Sequence, residues 1–76
     1  MLISQRHTHN VPEAMISLQS SEDGSLITIS QLGNLYRYDG AEFTLLQEGL
    51  KGAISILKDK EQYIIPSKVG IWKWSK

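Results

Sequence analysis

The chain is 76 residues long, 41% of its residues are hydrophobic, and it has no cysteine. This length restricts it to one small domain, and the absence of cysteine excludes disulfide bonds and thiolate metal sites. The net charge is zero, but residues 1–50 carry two basic and six acidic side chains, whereas residues 51–76 carry six and two. This division suits two solvated surfaces, or a contact between opposite halves within one chain or between neighbouring copies.

No apolar run reaches the roughly 18 residues that a membrane helix requires, and residues 1–6 lack the apolar stretch of a secretory signal. We therefore expect a cytoplasmic protein with no membrane partner. The pattern along the chain divides it into an N-terminal strand and linker (1–13), a first blade-like unit (14–48) and a second, shorter unit (49–76).

The N-terminal segment combines a short apolar stretch with a polar one. Residues 2–5, Leu-Ile-Ser-Gln, resemble Leu45-Leu46-Gln47 and are predicted to form a strand, and the polar residues that follow, up to Glu13, read as a linker. His7 and His9 alternate, so in an extended segment both imidazoles face one side and are weak candidates for metal ligands. A solvated linker is the favoured interpretation because no third ligand is evident, and we expect no cofactor.

The first unit has four short strand patterns separated by turn dipeptides. Alternating or β-branched apolar residues predict strands at 15–19, 26–30, 35–39 and 43–47. Asp23-Gly24, Gly33-Asn34 and Asp39-Gly40 supply the backbone geometry that tight turns need. Consecutive strands with such turns predict a four-stranded antiparallel meander.

The second unit repeats this pattern with small changes. Residues 63–70 align with 26–33 at an offset of 37, residues 71–74 with 35–38 at an offset of 36, and residues 53–56 with 15–18 at an offset of 38. A spacing in the high thirties is typical of propeller blades, although chance similarity between two hairpins is the alternative. Residues 58–61 are predicted to form a charged turn, and Pro66 indicates a strand end, bulge or edge position.

Aromatic residues alternate on the third strand of each unit and form a candidate binding face. Tyr36 and Tyr38 share one face of their strand, and Trp72 and Trp74 occupy the corresponding positions in the second unit. Such rings can stack on sugars or nucleobases. Packing within the protein is the favoured interpretation of both pairs.

Two blades leave more apolar surface than a chain of this size can cover. Each sheet has two apolar faces, and packing one blade on the other leaves two faces open. The chain therefore forms a head-to-tail ring with copies of itself, for example three copies giving six blades, or a compact sandwich, or it is part of a larger propeller. We favour an all-β fold of two antiparallel blade-like sheets of the β-propeller type, completed as a homo-oligomer.

The first unit resembles a blade of a known propeller family. Asp23-Gly24-Ser25-Leu26, Gly33-Asn34-Leu35-Tyr36-Arg37 and the turn from Asp39 to Phe43 are similar to the photosystem II assembly-factor-like propellers, which are relatives of the sialidase-type (BNR) repeats. Ala41 stands where that family tends to have a second glycine, and Phe43 where tryptophan is common. The resemblance implies a non-catalytic assembly or binding propeller.

These observations favour a self-associating structural or protein-interaction module that is not an enzyme. The sequence shows no nucleophile–base pair, phosphate loop or metal set, and two arginines are too few for sialidase chemistry. One alternative is a small lectin-like ring that binds carbohydrate through Tyr36, Tyr38, Trp72 and Trp74. Another is a β-module that binds single-stranded nucleic acid through the lysine-rich C-terminal half, although a nucleic-acid partner is not favoured.

Overall fold

The structure is a computed structural model that describes residues 11–75. The predicted strand at 2–5 and the candidate ligands His7 and His9 lie outside the described residues. Two antiparallel sheets make up the fold, and no membrane-spanning helix occurs within residues 11–75. Sheet A contains β1 (Met15–Ser20), β2 (Leu26–Ser30), β3 (Leu35–Tyr38) and β4 (Phe43–Gln47), in that order, and sheet B contains β5 (Leu57–Asp59), β6 (Gln62–Ser67) and β7 (Gly70–Ser75).

The four-stranded meander is confirmed, and local chemistry explains its turns. Between β1 and β2, the carboxylate of Asp23 accepts a hydrogen bond from the Ser25 N–H at 3.0 Å. Between β3 and β4, the carboxylate of Asp39 accepts from the backbone N–H groups of Ala41 and Glu42, at 2.8 and 3.0 Å. Aspartate caps of this kind compete with strand pairing and so fix the turns at these positions.

The first strand of the second unit differs from its prediction. The pattern predicted a strand at 53–56 and a turn at 58–61, but β5 covers Leu57–Asp59 and the turn is confined to residues 60–61. Ala53 still forms a bridge with Ser67, and the Ile54 N–H donates to the Pro66 carbonyl at 2.9 Å. Pro66 has no N–H and cannot donate a hydrogen bond back to the segment that contains Ile54. The backbone pairing of this segment with β6 is therefore interrupted at Pro66 and resumes at β5.

The core lies between the two sheets. We call the buried sides that meet here the inner face of sheet A and the inner face of sheet B. The inner face of sheet A contributes Ile27, Ile29 and Leu35, and that of sheet B contributes Ile56, Tyr63 and Ile65, all at most 1% exposed. Leu46, Ala53 and Trp74 pack around this cluster. Burial of these side chains is the main stabilising term of the fold.

The linker between the sheets is also part of the core. Leu50 is 6% exposed, and its N–H donates to the Gly33 carbonyl at 2.9 Å. Gly33 has a φ of +90°, and a Cβ atom there would lie 2.5 Å from the Leu50 carbonyl oxygen. The close approach and the backbone conformation both require glycine at this position. Across the sheets, Gln19 Nε2 donates to the Ile56 carbonyl at 3.1 Å.

Candidate functional site

Each sheet has a second face that points away from the core and carries exposed apolar side chains. Strand alternation places these residues opposite the buried ones, and no described part of the chain packs over them as a second layer. The outer face of sheet A consists of Met15, Leu18, Ser20, Leu26, Thr28, Ser30, Tyr36, Tyr38, Phe43 and Leu45. The outer face of sheet B consists of Leu57, Asp59, Gln62, Ile64, Pro66, Ile71, Lys73 and Ser75.

The outer face of sheet A carries an aromatic cluster. Tyr38 and Phe43 are paired across β3 and β4, with ring centroids 4.6 Å apart, and the Tyr36 ring meets Phe43 edge-on at 6.1 Å. All three rings are half-buried, whereas Leu18 and Leu45 beside them are 54% and 48% exposed. The cluster is an apolar surface whose rings already pack on one another, and aromatic side chains lose little entropy when such a surface binds a partner.

A carboxylate lies beside this cluster. Glu13 Oε2 accepts hydrogen bonds from Asn34 Nδ2 at 2.7 Å and from the Tyr36 hydroxyl at 2.8 Å. These donors, Asn34 foremost, hold the pKa of Glu13 below its ordinary value, and the same carboxylate raises the pKa of Tyr36. Glu13 therefore stays ionised, fixes the Tyr36 ring, and places negative charge at the outer face of sheet A. The outer face of sheet B carries one charge of each sign, Lys73 and Asp59.

The tryptophans lie on a different surface from the tyrosines. Trp72 and Trp74 belong to the inner face of sheet B, because they pair with Ile65 and Tyr63. Trp74 packs against the core, with its ring centroid 6.1 Å from that of Tyr63, whereas Trp72 is 37% exposed. The structure thus keeps Tyr36 and Tyr38 together but does not bring the four predicted aromatic residues into one binding face.

The polar side chains of the described residues serve mainly the turns. Asp23 forms an ion pair with Arg37 at 3.1 Å, and hydrogen bonds from Ser25 and then Arg37 hold the pKa of its carboxyl well below the usual range. Within residues 11–75, no group of three histidine, cysteine, aspartate or glutamate residues is placed to hold a metal ion.

An open groove of about 440 Å³ runs beside β1 and the start of the second unit. Its lining is Ile16, Gln31, Gly52, Ala53, Ile54 and Lys68. Lys68 is the one ionisable side chain in this set, so the groove offers no acid–base pair.

Sequence reasoning identified the tyrosines but missed the aliphatic residues of the two outer faces. Leu18 and Leu45 on sheet A, and Leu57 and Ile71 on sheet B, are 48–68% exposed. The period-two alternation of each strand is visible in the sequence, but it does not show which of the two sides faces the core. The two outer faces, rather than an enclosed pocket, are the candidate functional site.

No protein-family model, curated protein or solved structure matches this chain. The resemblance to assembly-factor-like and sialidase-type propeller blades stays a prediction.

Proposed function

We propose that this chain is a non-enzymatic structural module that assembles with itself head to tail. In the assembly, the outer face of sheet A of one copy packs on the outer face of sheet B of the next. Repetition of this contact gives a propeller-type ring in which each copy supplies two blades.

The proposal is supported first by the pairing registers of the two sheets. In sheet A, Leu26 pairs with Tyr38 and Ile29 with Leu35. At offsets of 37 and 36 these pairs become Tyr63 with Trp74 and Pro66 with Ile71, and both pairs occur in sheet B. The intervening pairs also correspond, so β6 and β7 of sheet B pair in the same register as β2 and β3 of sheet A.

The single observation that carries the proposal concerns residues at corresponding positions of the two units. Where such a residue is exposed in one sheet, its counterpart is buried in the other. Leu18 on the outer face of sheet A is 54% exposed, whereas its counterpart Ile56 on the inner face of sheet B is fully buried. Ile71 on the outer face of sheet B is 68% exposed, whereas its counterpart Leu35 on the inner face of sheet A is fully buried. The two open faces are therefore counterparts of the two faces that already pack on each other inside the chain.

This correspondence explains why the contact should be head to tail. Two different surfaces that complement each other form a heterologous interface, which generates a ring when the rotation closes. The contact between sheets A and B within one copy supplies that rotation once, and the contact between copies repeats it. Propellers have about four to eight blades, so two blades per copy correspond to a ring of two to four copies.

A protein partner bound at the loops of the assembled ring, as the family resemblance implies, is an extension of this proposal.

Two blocking variants test the head-to-tail contact. Leu18→Asp places a charge on the outer face of sheet A, and Ile71→Asp does so on the outer face of sheet B. Each variant keeps one intact outer face. We expect each variant alone to be monomeric by size-exclusion chromatography with light scattering, and an equimolar mixture to form a 1:1 dimer through the two intact faces.

The mixture also separates this proposal from its alternatives. If each face bound its own kind, each variant would still dimerise alone and mixing would add nothing. If both variants had the mass of the unchanged protein, the outer faces would have no part in assembly. Circular dichroism and urea unfolding of each variant verify that the monomer is folded, since both substituted side chains are more than half exposed.

A further inference from the structure

Two corresponding serines of the two units meet where the sheets adjoin. Ser17 on β1 and Ser55 in the segment before β5 are counterparts at an offset of 38, and their hydroxyl oxygens lie 3.5 Å apart. We propose that the ring axis passes beside these residues, and that Ser55 of one copy meets Ser17 of the next in a closed belt of hydroxyl groups. This inference rests on the head-to-tail assembly and names the residues that neighbouring copies contribute at its centre.

The position of the axis follows from the geometry of a rotation. When a rotation relates two units, corresponding atoms are displaced in proportion to their distance from the axis, so corresponding atoms that contact each other lie close to it. That distance is the separation of the two atoms divided by twice the sine of half the angle between the units. In a ring of four to eight blades, the 3.5 Å between the two hydroxyl oxygens places them roughly 2.5–4.6 Å from the axis.

The open groove beside β1 supports the same position for the axis. Two pairs of counterparts line it, Ile16 with Ile54 at an offset of 38 and Gln31 with Lys68 at an offset of 37. Corresponding residues share one groove only where the two units lie close to the axis that relates them. Ile16 and Ile54 are 41% and 56% exposed in one copy. In the ring, the corresponding isoleucines of all copies surround the axis next to the serine belt.

Hydroxyl groups suit this position because each one can donate one hydrogen bond and accept another. Identical side chains from every unit can therefore pair around a closed circle. Gln19 provides a contrast, because it donates to the Ile56 carbonyl within one copy but its counterpart at the same offset is Leu57, which has no side-chain donor. The Gln19 contact cannot be repeated between copies, whereas the serine contact can.

Cysteine pairing in the full chain tests this inference, because the sequence has no cysteine. The single variants Ser17→Cys and Ser55→Cys are mixed in denaturant, refolded together and oxidised. A disulfide between the two variants necessarily joins two copies, and mass spectrometry of the linked peptides identifies it. We expect this disulfide-linked dimer to form, because thiols at the separation of the two serines lie within reach of each other.

Thr44→Cys mixed with Ser55→Cys is the matched control. Thr44 is exposed and lies on β4, at the opposite edge of sheet A from β1. Three strand spacings of about 4.8 Å place β4 about 14 Å from β1 across the sheet, and so away from the proposed axis. We expect the yield of the linked dimer in the control to be at least fivefold lower than in the Ser17→Cys mixture.

The outcomes separate this inference from the assembly on which it rests, when the mass of each sample is also measured by light scattering. Equal yields in the two mixtures, or no disulfide between the variants in a sample with the mass of an oligomer, would overturn the serine belt and leave the assembly intact. A monomeric mass without cross-links would overturn both.

Discussion

Replacing Ile71 by aspartate tests the assembly at the position where the exposure contrast is largest. Ile71 is 68% exposed in one copy and its counterpart Leu35 is fully buried. Complete burial of such a side chain is worth about 1.5–3 kcal/mol, so covering the exposed two thirds contributes about 1–2 kcal/mol for each contact between copies. An unpaired carboxylate in the contact adds a desolvation cost of at least about 1–3 kcal/mol. At 1.4 kcal/mol for each tenfold change, the lower ends of these ranges together predict that association weakens by at least about 25-fold.

The chain offers a matched control for this variant. Val69 lies in the turn before β7 and is 72% exposed, much like Ile71. Its counterpart in sheet A, Leu32, is also 72% exposed although the inner face of sheet A is covered. Val69 should therefore stay exposed in the assembly, and Val69→Asp should leave association within about twofold of the unchanged protein.

Sedimentation velocity over a dilution series measures both variants. We expect Ile71→Asp to dissociate at concentrations at least about 25-fold higher than Val69→Asp, with the same free energy of urea unfolding at concentrations where both are monomeric. Equal dissociation of the two variants would refute the reasoning, because it would show that the loss of any exposed apolar side chain has the same effect.

Three further predictions concern the single copy. Gly33→Ala should lower the free energy of unfolding by about 3 kcal/mol or more through a clash with the following linker, whereas Gly40→Ala, with φ +99° and nothing within 4 Å, should cost about 1 kcal/mol in urea titrations. Because the pKa of Glu13 is lowered in the folded state, its stabilisation is present above pH 4.5 and is lost as the pH falls below that value. Glu13→Gln should flatten this part of the stability profile. Ile65→Ala removes a fully buried side chain and should cost about 2–5 kcal/mol, most of the stability of so small a domain, measured as loss of the cooperative thermal transition.

Contrary results would be equally informative. A similar cost for the two glycine variants would mean that backbone conformation, rather than the approach to Leu50, limits the position. A Glu13→Gln profile that still falls as steeply below pH 4.5 would assign acid sensitivity to the turn carboxylates, such as Asp23. A cooperative transition retained by Ile65→Ala near the original temperature would mean that the two sheets are stable without their shared core.

The strands and turns of the first unit were predictable because short-range chemistry decides them. Aspartate side chains cap the turns at Asp23-Gly24 and Asp39-Gly40, and the alternation between these turns has the strand period of two. The extent of β5 was not predictable, because it depends on the missing N–H of Pro66 on the neighbouring strand. Non-local pairing, rather than the propensity of residues 53–59, decides where that strand begins.

The sequence also did not show which side of each sheet is buried. In β2, Ile27 and Ile29 alternate with Leu26 and Thr28, and all four are compatible with a packed face. In the first unit, the buried side is the one that carries Ile27 and Ile29. In the second unit, the buried residues are Ile56, Tyr63 and Ile65, whose counterparts in the first unit lie on the outer face of sheet A. The separation of the tyrosines from the tryptophans follows from this same reversal of sides.

The mass of the unchanged protein in solution tests the central claim most directly. Native mass spectrometry and light scattering should give one discrete closed assembly of two, three or four chains of 8.6 kDa, with the same copy number over a wide concentration range. A folded monomer at all accessible concentrations, or an open series of increasing masses, would contradict the account.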